Sequence, residues 1–515
     1  MQERTSTPPS ADALMPLQQT RGIVAALPAD DAVAAARQIA AALRALKNDA
    51  KTVALEERYD DICLLDGAMM EPTRALLREY VSATRHMKQR EADVWNSAYR
   101  CWCELADAYN MCVTQYTGNA SAAAGFRKLA GVAAGRALRA MRRQLQWLRI
   151  RHAMPPPALW TALAGVYIQV DVAQRDEPML VYPGDTSTLR RELLKTLALS
   201  VVSDDNLMPA EHDLATYIVN RFSGHFVASA APGAGCSHSF DLRQPQAPVP
   251  ISAGAAPLPQ GIYFGAGTAV AALEDALRTL EQVQQVPPQL GFTRPIEPAH
   301  LTPVLKQIYQ DWAGQTTERR YPRENANARV SVVPGFRETI EVLDQAAADP
   351  LDFTVGTSAE SWIASDISAD GFGVVMPAVS GDWVSVGSVV GIEGSAAGEW
   401  SVGVVRRIRR LDDGQQHIGV KLLCRNAQAV RVMRDTSGKN TRITQRMPID
   451  RGVLLTAHAL RQKDIDLLVS DAALYSVGNV QVLIGDSVLT VKLREVLEVA
   501  VDCTRINFTV LGVEA

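Results

Sequence analysis

The sequence predicts a multidomain α+β protein: an N-terminal helical bundle, then a six-stranded antiparallel β-barrel, then a β-rich C-terminal extension. Three observations predict it. At 515 residues the chain exceeds what one hydrophobic core can serve, so several domains are expected. As far as residue 313, most apolar residues recur at helical spacing. From Arg329 the period changes to two, in short runs divided by turn residues.

Composition narrows the function. Apolar residues make up 47% of the chain and charged residues 21%, the balance of a soluble globular protein. A net charge of −4 argues against a nucleic acid as partner, because no excess positive charge is present to hold a phosphate backbone. Seven scattered cysteines suit free thiols in a reducing compartment better than a disulfide framework. Met1 to Gly22 has no apolar signal core, and no apolar run approaches the roughly 20 residues that span a bilayer. A cytoplasmic protein without a membrane span is expected.

Residues 1–28 are polar, contain Pro, Ser and Thr, and read as a disordered leader. The helical bundle is expected over 29–155, where Asp30 and Asp31 can cap a helix carrying Ile39, Leu43 and Leu46 on one face. Its clearest helix, over 91–116, repeats Trp95, Trp102, Tyr109 and Tyr116 every seven residues, which reads as core rather than as a ligand-binding stripe. The next helix, over 123–151, holds eight basic residues from Arg127 to Arg151, within a stretch (108–170) free of Asp and Glu. Its arginines either pair with acidic residues of the preceding helices, such as Asp66, Glu71 and Glu79, or offer a docking face to an acidic protein, nucleic acid or anionic membrane.

Pro155-Pro156-Pro157 ends that helix, and a second mostly helical region runs over 156–244, turning strand-like at His225-Phe226-Val227 and Ser239–Leu242. Five prolines mark 245–260 as a linker or long loop. A helical connector follows over 261–316. The barrel is placed at 317–435, with strands at Arg329–Val333 and Thr339–Leu343, a turn and strand over Asp366–Met376, and strands at Ser388–Ile392, Trp400–Arg406 and His417–Leu423. The last two flank Asp412-Asp413-Gly414, a hairpin signature. A short helix is expected near 425–434, and the extension over 436–515 reads as five strands with no chemical assignment.

Several candidate sites fall away. Gly265-x-Gly267 lies between a strand and a helix but lacks the third glycine of a dinucleotide loop. His225, Cys236 and His238 match no established zinc spacing, and Cys101-x-Cys103 on a helix faces two directions. No nucleophile elbow, zinc-protease motif or Walker loop occurs. Neither an enzyme nor a metal or cofactor site is expected.

What remains is Glu318-Arg319-Arg320-Tyr321-Pro322-Arg323 before the barrel, and Asp366-Ile367-Ser368-Ala369-Asp370-Gly371 on it. Guanidinium forks suit the phosphate oxygens of an anionic purine nucleotide and the acceptors on its base edge. A carboxylate at Asp366 can accept from N–H groups of the base, and Ser368 can donate to an oxygen. Gly371 permits a turn and close backbone approach, Arg320 offers a further phosphate contact, and Trp400 a stacking face for a base. The plain alternative is a surface turn capped by arginines and an Asx-type turn at Asp366.

At Arg319-x-x-x-Arg323 and Asp366-x-Ser368-x-x-Gly371 the chain resembles the PilZ family of bacterial cyclic di-GMP receptors. The resemblance covers roughly 317–435; the N-terminal helical region resembles no family. It implies a six-stranded antiparallel barrel and cyclic di-GMP as ligand, bound by Arg319, Arg320, Arg323, Asp366, Ser368 and Gly371, with Trp400 added. Forty-two residues separate Arg323 from Asp366, a surplus expected to form a long loop over Asp344–Ser361. The function expected is a signalling effector that couples nucleotide binding to the helical region and a protein partner there. The rival is a non-enzymatic scaffold with a ligand-free barrel.

Overall fold

The computed structural model of the chain describes residues 14–48, 54–82, 88–118, 124–203, 205–252, 254, 256–283, 285–293, 295–314, 322, 324–347, 359–376, 384–393, 399–410, 415–434, 450–471 and 478–514. The chain forms two units, one helical and one of β-structure.

The helical unit opens with α1 (Leu14–Ala25), α2 (Ala32–Asn48), α3 (Leu55–Ser82), α4 (Lys88–Gly118) and α5 (Arg127–Ile150). Next come α6 (Pro157–Gln169), a hairpin of β1 (Met179–Tyr182) and β2 (Asp185–Ser187), α7 (Leu189–Ser200) and α8 (Pro209–Phe222). β3 (Val227–Ser229), β4 (His238–Asp241), β5 (Val249–Pro250) and β6 (Gly261–Gly265) form a sheet in the order β3-β6-β4-β5. α9 (Ala269–Val283) and α10 (Pro298–Trp312) complete the unit.

Two expectations change here. Residues 14–25, read as leader, form α1. The proline-rich segment carries β5, a sheet-edge strand, where proline's missing N–H costs no ladder bond. Among the described residues no helix is long and apolar enough to cross a membrane.

The aromatic stripe of α4 is core. Trp102 and Tyr109 are buried, the Tyr109 hydroxyl donates to Asp66 at 2.7 Å, and Trp95 Nε1–H donates to the Trp147 carbonyl at 2.8 Å. Three arginines of α5, Arg136, Arg139 and Arg142, turn inward and divide between two carboxylates. Arg136 lies 3.7 Å from Asp66 of α3, an acidic helix before it. Arg139 and Arg142 instead meet Glu192 of α7 at 3.1 and 2.9 Å, and Lys195 joins it at 2.6 Å. Glu192 is fully buried, so it depends on all three cations.

The β unit holds two closed six-stranded barrels. The first is built from β7 (Glu324–Pro334), β8 (Glu360–Ser368), β9 (Gly371–Met376), β10 (Val389–Glu393), β11 (Trp400–Arg410) and β12 (Gln416–Cys424), in the order β10-β11-β12-β9-β8-β7. All its pairs are antiparallel. Trp362, Val374, Val390, Val405 and Ile418 fill its centre.

Thr339–Leu343, expected as a strand, belongs to α11 (Phe336–Ala347), and β8 supplies the sixth strand. Gly335 makes the turn from β7 into this helix at φ +92°, a left-handed conformation that glycine adopts without strain.

The C-terminal extension is the second barrel. β13 (Gln428–Arg434), expected as a helix, joins β14 (Asp450–Leu454), β15 (Asp464–Val469), β16 (Asn479–Ile484), β17 (Ser487–Val499) and β18 (Thr504–Glu514). Its order is β13-β14-β15-β18-β17-β16. Counted from its first strand, each barrel pairs first with second, second with third, third with sixth, sixth with fifth, fifth with fourth and fourth with first. The connectivity is the same.

α11 joins the two barrels. Phe336, Ile340 and Leu343, one face at i, i+4 and i+7, pack with Val389 and Val402 of the first barrel and Val453, Leu455 and Leu468 of the second. The Phe336 N–H at the start of α11 donates to Asp502 Oδ2, 2.7 Å away in the β17–β18 connection, and Arg406 of β11 ion-pairs with Glu498 of β17.

Candidate ligand site

Arg319, Arg320 and Arg323 lie outside the described residues, as does the Asp412–Gly414 hairpin turn. Their chain neighbourhood is informative. β7 begins at Glu324, the residue after Arg323, and its first two residues pair with the second motif: Glu324 with Ile367, Asn325 with Asp366. β7 therefore begins beside Asp366.

The second motif is the β8–β9 hairpin. Ser368 pairs with Gly371 across Ala369-Asp370, and Ser368 Oγ donates to the Gly371 carbonyl at 3.1 Å. A β-bulge decides where Asp366 faces. Trp362 and Ala364 point into the core, and simple alternation would send Asp366 after them. Between Ala364 and Asp366 the register slips by one residue, so that Asp366 pairs with Gly373 while Ala364 pairs with buried Val374. Asp366 and Ser368 thus share the outer face.

One lateral row crosses this face: Arg407 of β11, Gly419 of β12, Gly373 of β9, Asp366 of β8 and Asn325 of β7. Two glycines at its middle leave a depression in which the Asp366 carboxylate lies. A β-carbon on Gly373 would stand 2.9 Å from Asp366 Cγ, closer than nonbonded carbons tolerate. Arg407 ends the row, with its Nε 3.0 Å from Asp205 Oδ2. The adjacent row holds Lys421, Gly371 and Ser368.

At Gly371 the structure shows a close backbone approach within the barrel. Its φ is not positive, but a β-carbon there would lie 3.0 Å from the Val420 carbonyl carbon and nearer still to its oxygen. It lets β12 close against β9, and the Leu422 N–H then donates to the Asp370 carbonyl at 2.7 Å. Trp400 is not brought to the motif. It stands at the start of β11, opposite Glu393, and packs against the core around α11. Gly373, Gly419 and Arg407 were missed as site residues; Gly371-Phe372-Gly373 and Gly419 inside apolar strands were the available signal, since glycine in a strand marks close approach.

Comparison with known families matches part of each unit. Residues 18–232 match the model described as cyclic-di-GMP receptor FimW, N-terminal domain, and residues 358–429 the model described as cyclic-di-GMP receptor FimW, middle PilZ domain. The helical region, which resembled no family by its motifs, is thereby recognised as well. No curated protein matches the chain. With both matches in order and together covering more than half of the 515 residues, the chain carries the N-terminal and middle PilZ domains of the FimW cyclic-di-GMP receptors.

Proposed function

We propose that this cyclic-di-GMP receptor holds its ligand against the outer face of the first barrel, with Asp366 and Ser368 as a fixed platform and Arg319, Arg320 and Arg323 as a clamp. The observation that carries the reading is the pairing of Asn325 with Asp366, two residues after Arg323. Arginine forks match phosphate oxygens and the guanine O6 and N7 pair, and a carboxylate accepts from guanine N1–H and N2–H2. The paired glycines 373 and 419 leave room for a planar base beside Asp366. Trp400 takes no part, and Gly371 acts by closing the barrel.

Binding would hold the 317–323 lead-in, which precedes β7, against the barrel. The lead-in starts at one of the points where the chain passes between the helical unit and the β unit, at 316–317, the route by which binding would reach the helical unit. The helical unit would then present or withdraw a surface for a protein partner in the cytoplasm, making the chain a binding effector rather than an enzyme. Titration of the intact protein with cyclic di-GMP, followed by calorimetry and by limited proteolysis, tests this. Saturable binding with slower cleavage over 317–323 is expected; no binding by the intact protein overturns the reading.

A further inference from the structure

A cleft of about 700 Å³ opens wholly within the helical unit, among α3, α4, α5, the β1–β2 hairpin and the start of α8. That volume suits a small molecule rather than an ion. Four arginines line it, Arg74, Arg78, Arg139 and Arg143, against two carboxylates, Asp185 and Asp213. Trp102 and Trp147, both buried, and Leu77 give it an apolar floor.

The arginines are unequally used. Arg139 is engaged by Asp185 at 2.6 Å and by Glu192. Arg143 donates a hydrogen bond of 2.6 Å to the neutral Gln146 amide oxygen and has no carboxylate within ion-pair distance among the described residues. Burial, together with the nearby charges of Arg142 and Arg139, holds its pKa below the ordinary arginine value, with Asp213 opposing. A guanidinium in that setting gains from an anion that brings its own oxygens. At the rim, Arg74 and Arg78 both rest on Glu71, with 64% and 61% of their side chains exposed. Exposed pairs of that kind are worth little and are readily exchanged for a ligand.

We propose that this cleft is a second ligand site, for a small organic phosphate of about nucleotide size, with its phosphate on Arg143 and Arg139 and its body on the Trp102–Trp147 floor. Arg74 and Arg78 close over it from α3. The site is independent of the one on the barrel, and a bare phosphate would leave its apolar floor uncovered.

The test uses the intact protein, titrated separately with inorganic phosphate, guanosine monophosphate and cyclic di-GMP. Calorimetry is read together with amide hydrogen exchange over 70–81 and 139–147. The variants are Arg143→Gln, the rim pair Arg74→Ala with Arg78→Ala, and Asp366→Ala on the barrel. At least one organic phosphate is expected to protect both segments more strongly than inorganic phosphate does. That affinity should fall roughly tenfold or more in the Arg143 and rim variants and stay unchanged in Asp366→Ala. The rim residues are exposed, so their replacement leaves the fold intact whatever Arg143→Gln does. No protection by either organic phosphate, protection that survives the rim variant, or protection lost in Asp366→Ala overturns the proposal.

Discussion

The Asp366 carboxylate occupies the space that a β-carbon at Gly373 would need: the carbon would stand 2.9 Å from Asp366 Cγ. The two residues are cross-strand partners, turned outward together by the bulge before Asp366. The position of the motif's acid therefore depends on a glycine outside the motif.

Gly373→Ala is expected to displace the Asp366 side chain while sparing the barrel, because the obstructing group is the end of a side chain that can rotate. Cyclic di-GMP affinity should fall roughly tenfold, the worth of one charge-assisted hydrogen bond, with little change in denaturation midpoint. Unchanged affinity would show that Asp366 can serve from another rotamer.

Gly371→Ala should do the reverse. Here the obstruction is the Val420 backbone carbonyl, which cannot rotate away without parting β9 from β12. A loss of about 1–3 kcal/mol in stability is expected from overpacking, measured by denaturant unfolding of the β unit. A variant as stable as the parent would contradict the close approach.

In the helical unit, burial pushes the Glu192 carboxyl up, but Arg142, Arg139 and Lys195 outweigh it and hold its pKa well below the ordinary glutamate value of 4.5. The group is charged in both states above that value, and the paired native state gains. As pH falls below 4.5 the unfolded chain takes up the proton first, so stability declines through the window down to the native pKa. Glu192→Gln should flatten this acid limb and cost roughly 3–5 kcal/mol at neutral pH, since Arg142 and Lys195 then lose their carboxylate and Arg139 keeps only Asp185. Thermal unfolding across pH 3 to 7, roughly the range in which carboxylates titrate, checks both parts.

The joint at α11 makes a further prediction. Ile340 packs between residues of both barrels, so Ile340→Ala should cost about 2–5 kcal/mol and loosen the two together. Amide exchange in β10 and in β14 should rise in parallel; faster exchange in β10 alone would mean that the barrels are stabilised separately.

Much of this was legible in the sequence. The seven-residue aromatic repeat of α4 and the period-two runs after Arg329 announced a helical unit followed by β-structure, because those periods match the buried faces the elements must present. Two segments misled for opposite reasons. Thr339-Ile340-Glu341-Val342-Leu343 is rich in β-branched residues, yet Phe336, Ile340 and Leu343 fit a helical face that only the gap between two barrels explains. Val430 and Val432 alternate as a strand should, but the segment was read as a helix, which left the extension one strand short of a barrel.

The site was legible as two motifs but not as a surface. The bulge that turns Asp366 outward, and the row that sets Gly373, Gly419 and Arg407 beside it, depend on register between strands far apart in the chain. Trp400 was drawn into the site by its chemistry alone, and its place in the core around α11 shows why an aromatic near a motif is weak evidence of stacking.

The central claim is that the ligand lies between the lead-in and Asp366. Calorimetric titration of cyclic di-GMP into the intact protein and its Arg323→Ala, Asp366→Ala and doubly substituted variants tests it most directly. The account predicts that each single change weakens binding roughly ten- to a hundredfold, and that the double loses less than both combined because the two sides grip one ligand. Parental affinity in both single variants would contradict it.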